Sequence, residues 1–139
     1  MPTPVLEPAV VDALLAAARA AAGRAYAPYS SFPVGAAALL PDGSIVTGCN
    51  VENASYPLSI CAERVAAAKV AEMGERTIVA IAVTAPNLDA VTPCGGCRQV
   101  LNEFHPTDRE MVVILDAAAG PEYLTLDELL PRNFGRPVE

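Results

Sequence analysis

The chain has 139 residues, 53% of them hydrophobic, and a net charge of −7 at pH 7. This acidic balance argues against binding to nucleic acids, which require clustered Lys and Arg. No run of about 18 apolar residues predicts a membrane span, and the N-terminus does not follow the pattern of a signal peptide. We expect one domain over residues 1–139 in the cytoplasm, with its four cysteines reduced. The mean hydropathy of +0.34 favours burial of an apolar face between copies of the chain.

The first half of the chain predicts a helix followed by a β-hairpin. Residues 8–23 combine a proline at the start, strong helix formers and a closing glycine. Residues 34–40 and 44–51 have strand character and flank a Pro-Asp-Gly turn at 41–43. These two strands should therefore pair directly.

The rest of the chain predicts alternating helices and strands. Residues 77–85 form a β-branched apolar run that is typical of a buried strand. The other predicted elements are helices at 61–73, 94–104 and 127–130 and strands at 111–115 and 123–126. This order predicts an α/β fold, a three-layer α/β/α sandwich with a mixed five-stranded sheet.

Three cysteines and one glutamate have the spacing of a catalytic zinc site. Cys61 precedes Glu63 by two residues, and Cys94 and Cys97 follow in a Pro-Cys-Gly-Gly-Cys motif. Catalytic zinc takes three protein ligands and leaves its fourth position to a water, from which Glu63 could take a proton. The alternatives are buried cysteines that act as small hydrophobic residues and a solvent-facing glutamate.

Two arginines follow the predicted ligands closely. Arg64 lies three residues after Cys61, and Arg98 comes directly after Cys97. We expect both guanidinium groups to donate hydrogen bonds to ligand sulfurs and so to draw charge from the thiolates. The competing interpretation is that both are ordinary surface arginines.

Five segments resemble the small homotetrameric zinc-dependent cytidine deaminases. They are AYAPYSSFPVGAA at 25–37, NVENASYPL at 50–58, CAER at 61–64, PCGGCRQ at 93–99 and ELLPRNFG at 128–135. The resemblance implies hydrolytic deamination of cytidine and 2′-deoxycytidine to the uridines in pyrimidine salvage, with release of ammonia. It also implies one zinc ion per chain, the strand order of that family and a homotetramer with shared active sites. In this mechanism Glu63 moves protons between water, ring N3 and the leaving amine.

The same resemblance implies a set of substrate-binding residues. Asn50 and Glu52 would hold the ribose hydroxyls, and Phe32 would stack against the pyrimidine. Phe134 would reach the site of a neighbouring subunit, although a C-terminal anchor is the competing interpretation. Ala54 and Tyr56 are also assigned to substrate binding, with Tyr29 nearby. Either tyrosine could instead be a core aromatic, and Asn50 and Glu52 could be a turn residue and a solvated carboxylate.

Two other functions remain open from the sequence. One is deamination of a cytosine-bearing antibiotic of the blasticidin S type, whose enzymes share the zinc motifs. The other is a structural zinc module or the binding domain of a nucleic-acid editor, although only three protein ligands are evident. His105, the single histidine, is predicted to be a loop residue rather than a ligand, and Cys49 a buried thiol on the second strand.

Overall fold

A computed structural model describes residues 6–136 and contains every predicted helix and strand, with ends shifted by a few residues. The strands are β1 Gly35–Leu39, β2 Ile45–Cys49, β3 Ala80–Thr84, β4 Val112–Leu115 and β5 Glu122–Thr125. The helices are α1 Pro8–Ala22, α2 Ala62–Glu72, α3 Gly95–Asn102 and α4 Leu126–Leu129, and a 3₁₀ turn covers Tyr56–Leu58. Across 6–136, none of these helices has the length and apolar character needed to cross a bilayer.

The five strands form one mixed sheet in the order β2-β1-β3-β4-β5. Strands β3 and β4 are parallel, and the other neighbouring pairs are antiparallel. The predicted hairpin is the β1–β2 pair, and α3 connects the parallel pair. The mixed sheet is therefore confirmed.

Helices cover both faces of the sheet. Alternate residues of β1 point to opposite faces, so that Ala37 and Leu39 pack in the cluster that includes α1. Ala36 and Ala38 pack in the second cluster, with α2, α3 and α4. This division confirms the three-layer α/β/α sandwich.

Two glycines allow the helices to lie very close to the sheet. A Cβ atom on Gly48 of β2 would lie 2.3 Å from the carbonyl oxygen of Ala62, and one on Gly35 of β1 would lie 1.9 Å from that of Ala18. No larger residue fits either contact. Gly48 thereby sets the position of the first turn of α2, which begins directly after Cys61.

Candidate active site

Three cysteine sulfurs lie together where α2 and α3 begin. Cys61 is the N-cap residue of α2, Cys94 is the N-cap residue of α3, and Cys97 lies in the first turn of α3. The Sγ of Cys94 is 3.9 Å from the Sγ of Cys61 and 3.1 Å from that of Cys97, and all three lie within 4.8 Å of one another. Thiolates about 2.3 Å from a tetrahedral zinc ion are about 3.8 Å apart, so the cluster fits this metal.

The protonation of the thiols is also consistent with a cation site. Hydrogen bonds, first from Cys97 and then from Cys94, lower the pKa of Cys61 to about 6, and the charge of Arg64 adds to this effect. The contact with Cys61 raises the pKa of Cys97, and burial raises it further. The protein alone thus favours the thiolate of Cys61 over that of Cys97, whereas a divalent cation would allow the ligand thiols to ionise together.

Glu63 is a buried carboxyl group beside these sulfurs. It lies in the first turn of α2, and only 5% of its surface is exposed. Burial raises its pKa to about 7, and the nearby charge of Cys61 raises it as well. A group with a pKa near neutrality can both accept and donate a proton at physiological pH, as a general acid and base must.

The two arginines make different contacts from those predicted. Arg98 donates from Nε to the carbonyl oxygen of Pro93 at 2.8 Å and from Nη1 to that of Leu129 at 2.9 Å. Arg64 is exposed and acts on Cys61 through its charge. Between residues 6 and 136, neither guanidinium donates a hydrogen bond to a cysteine sulfur, so the predicted sulfur contacts are not made in this structure. Arg98 donates to carbonyl oxygens instead of sulfur because carbonyl oxygens are the stronger acceptors.

A cavity of about 380 Å³ opens beside the cysteines and is large enough for a small-molecule ligand. Its lining joins the metal cluster to residues that the sequence assigned to the substrate. The predicted residues that line it are Phe32, Asn50, Glu52, Tyr56, Cys61, Glu63 and Cys94. Ala54 and Phe134 are exposed and do not contribute to this lining.

Asn50 connects β2 to the loop that carries Phe32. Its Oδ1 accepts a hydrogen bond from the backbone N–H of Val34 at 2.9 Å, and its Nδ2 donates to the carbonyl oxygen of Phe32 at 2.9 Å. The amide group is therefore already used in positioning this loop. Each polar atom of Asn50 still has capacity for one further hydrogen bond toward the cavity.

Glu52 is held by the same loop. Its Oε1 accepts from the backbone N–H groups of Tyr29 at 3.0 Å and Ser30 at 3.1 Å, and the hydroxyl of Ser30 donates to its Oε2. These contacts, the Ser30 hydroxyl first, hold the pKa of Glu52 below its ordinary value. The carboxylate thus stays ionised and oriented. The sequence analysis assigned no role to Ser30, although Ser30 lies in the segment at 25–37 that resembles the deaminase family.

Three aromatic residues assigned to the site or its surroundings, Tyr29, Tyr56 and Phe134, are exposed. Tyr29 is 59% and Tyr56 78% exposed, so neither is a core aromatic. The side chain of Phe134 is 82% exposed in the single chain, while its carbonyl oxygen accepts hydrogen bonds from Gln99 at 3.0 Å and Asn102 at 3.3 Å. The tail is thus anchored by its backbone, and the ring is free to contact another molecule.

Comparison with known proteins agrees with this geometry. Residues 9–115 match the family described as the cytidine and deoxycytidylate deaminase zinc-binding region. The chain belongs to this deaminase family. A cytidine deaminase of Halalkalibacterium halodurans is 49% identical over 110 residues, which cover 79% of this chain and 83% of the relative. A cytidine deaminase of Mycobacterium tuberculosis is 44% identical over 119 residues, which cover 86% and 84%.

The fold is shared with solved structures of the deaminase family. The crystal structure of a cytidine deaminase from Burkholderia pseudomallei superposes with a TM-score of 0.81 at 43% identity, covering 88% of this chain and 98% of that protein. The chain is therefore a deaminase enzyme with the family's α/β fold.

Proposed function

We propose that this protein hydrolyses the C4 amine of cytidine and 2′-deoxycytidine, with one catalytic zinc ion held by Cys61, Cys94 and Cys97. The observation that carries the proposal is the buried Glu63 beside three converging sulfurs, with Glu63, Cys61 and Cys94 lining a cavity of nucleoside size. Zinc on these thiolates would lower the pKa of the attacking water and so supply hydroxide at neutral pH.

Glu63 is the proton carrier in this proposal. It takes a proton from the attacking water, transfers it to ring N3 and then assists protonation of the departing amine. The oxygen of water forms a bond to C4, the bond from C4 to the exocyclic nitrogen breaks, and ammonia leaves. A pKa of about 7 supports both directions of transfer, because neither protonation state is strongly favoured.

The polar residues of the cavity favour a free nucleoside over a nucleotide. Glu52 is ionised and can accept a hydrogen bond from a ribose hydroxyl, beside Asn50 and the ring of Phe32. Among the described residues that line this cavity, none is Lys or Arg. A phosphate group would therefore meet two carboxyl groups without a lysine or arginine side chain to pair with.

The exposed ring of Phe134 supports a homotetramer with shared active sites. A large aromatic side chain that is 82% exposed in the single chain would gain most by entering an apolar pocket of another copy. We place this enzyme in the cytoplasm, because reducing conditions keep the three ligand thiols free. We assign its reaction to pyrimidine salvage.

An ultraviolet assay of substrate loss tests the proposed function. Cytidine and 2′-deoxycytidine should both be converted to the uridines, with activity proportional to the zinc content of the same sample. Deoxycytidylate and blasticidin S should react much more slowly. A preference for either of these two compounds over cytidine would overturn the nucleoside proposal.

A further inference from the structure

A second group of metal-binding side chains lies at the opposite end of α3 from the cysteines. His105 follows α3, Glu110 precedes β4, and Asp127 lies in α4. The Nε2 of His105 is 3.8 Å from Oε2 of Glu110 and 3.7 Å from Oδ1 of Asp127. The loop position of His105 was predicted correctly, but its side chain is only 2% exposed.

The hydrogen bonds of His105 leave one ring nitrogen unpaired. Nδ1 lies 2.6 Å from the carbonyl oxygen of Pro106, which accepts but cannot donate, so Nδ1 carries a proton. In the part of the chain that the structure describes, Nε2 of His105 and Oε2 of Glu110 are buried without a hydrogen-bond partner. Two unpaired buried polar atoms that face one another are costly and require an explanation.

The distances in the cluster come nearer to those around a metal ion than to those of a direct or a water-bridged hydrogen bond. Separations of 3.7 and 3.8 Å exceed the roughly 3.2 Å limit for a direct N–H···O hydrogen bond. A bridging water, with bonds of about 2.8 Å in tetrahedral directions, needs partners about 4.6 Å apart. Nitrogen and oxygen ligands about 2.1 Å from a tetrahedral zinc ion are about 3.4 Å apart, which is the closest match.

The charges of the cluster also favour a cation. Glu110 and Asp127 contribute two negative charges when ionised, and Arg136, which donates a hydrogen bond to Asp127, contributes one positive charge. With a neutral imidazole the cluster keeps one uncompensated negative charge close to buried atoms. This charge attracts a divalent cation, which brings the sum to +1 and binds the lone pair of Nε2 at the same time.

We propose that His105, Glu110 and Asp127 bind a second divalent metal ion of the zinc type. This ion is distinct from the one per chain that the cysteine motif predicts. It joins the end of α3, the loop before β4 and α4, and so has a structural role. Arg136 extends the link, because its Nε donates to Oδ1 of Asn102 in α3 at 3.0 Å.

Zinc stoichiometry tests the second site. After dialysis of the untagged enzyme against buffered Zn²⁺, we expect about two zinc ions per chain in the wild type and one in His105→Gln and Glu110→Gln. Asp108→Asn is the matched control, because Asp108 is an exposed carboxylate of the same loop whose one ion pair within residues 6–136 is with Arg109. It should keep two. A wild type with one zinc ion, or a His105→Gln variant with two, would overturn the proposal.

Nitrogen NMR with ¹¹³Cd²⁺ provides a test that needs no variant. His105 is the only histidine in the sequence, so its ring signals require no further assignment. Binding predicts a splitting of the Nε2 resonance by ¹¹³Cd, while Nδ1 keeps its proton. If both ring nitrogens carry protons and do not respond to cadmium, a proton rather than a metal ion neutralises the cluster, and the proposal is wrong.

Discussion

Arg98 donates a hydrogen bond from Nη1 to the carbonyl oxygen of Leu129, 31 residues further along the chain, at 2.9 Å. Its Nε donates at 2.8 Å to Pro93, which directly precedes Cys94. One side chain thus joins α3 to the end of α4 and restrains the loop that presents Cys94. Its effect on the metal site is exerted through the backbone.

Arg98→Lys should therefore destabilise the protein even though the charge is kept. Lysine cannot reproduce the fork geometry that reaches both carbonyl oxygens, and a lost hydrogen bond to a charged group costs about 1.5–3 kcal/mol. Denaturant unfolding should show a loss in this range. Arg109→Lys, at an exposed ion pair, is the control and should change the free energy of unfolding by less than about 0.5 kcal/mol. Equal stability of the two variants would contradict the role of Arg98.

Cys97→Ala should lose one zinc ion per chain relative to the wild type, together with all measurable activity. The metal-binding free energy contributes to folding, so the melting temperature should also fall. Elemental analysis and thermal unfolding of the same preparation measure both effects. Cys49→Ala is the control, because this thiol lies outside the cluster and contacts the carbonyl oxygen of Arg24. Full zinc content in Cys97→Ala would disprove the ligand assignment.

Glu63→Gln should keep its zinc but lose turnover by about 10⁴-fold or more. The amide preserves the shape of the side chain but cannot carry a proton, and several proton transfers in one cycle depend on this group. Single-turnover and steady-state assays of cytidine loss measure the change. Glu72→Gln, an exposed carboxylate at the other end of α2, should behave like the wild type. More than about a tenth of wild-type turnover in Glu63→Gln would refute its proposed role.

Ser30→Ala should move the loss of nucleoside binding at low pH to higher pH, measured as the dissociation constant of the product uridine against pH. The Ser30 hydroxyl is the largest cause that keeps the pKa of Glu52 below 4.5, so its loss raises this pKa toward that value. The ionised carboxylate accepts a hydrogen bond from a ribose hydroxyl, so protonation of Glu52 weakens binding. With a higher pKa, this protonation occurs at a higher pH than in the wild type. At neutral pH we expect a smaller loss in kcat/KM, about 2- to 10-fold.

The control for this pH effect is Ser44→Ala. The Ser44 hydroxyl also hydrogen-bonds a carboxylate, that of Asp42, but in the turn between β1 and β2. Ser44→Ala should leave the pH dependence of uridine binding unchanged. An identical pH dependence of uridine binding in Ser30→Ala and the wild type would show that Ser30 does not set the ionisation of Glu52.

Local features of this protein followed from the sequence alone. The spacing of Cys94 and Cys97 places both at the start of one helix, and Cys61 and Glu63 are similarly set at the start of another. Helix and strand ends were near their predicted positions because proline, glycine and β-branched residues act on their immediate neighbours. The residues that the resemblance assigns to zinc and substrate lie in short contiguous segments, so they could be proposed from the sequence alone.

Contacts between distant segments were decided only by the tertiary structure. We expected Arg98 to donate a hydrogen bond to the neighbouring thiolate. Instead it donates to a carbonyl oxygen of α4, which folding places 2.9 Å from its Nη1. The sequence placed His105 in a loop, yet only the packing of α3, β4 and α4 buries it with Glu110 and Asp127. Hydrogen-bond partners depend on which backbone groups remain unpaired after the layers assemble, and spacing along the chain does not contain that information.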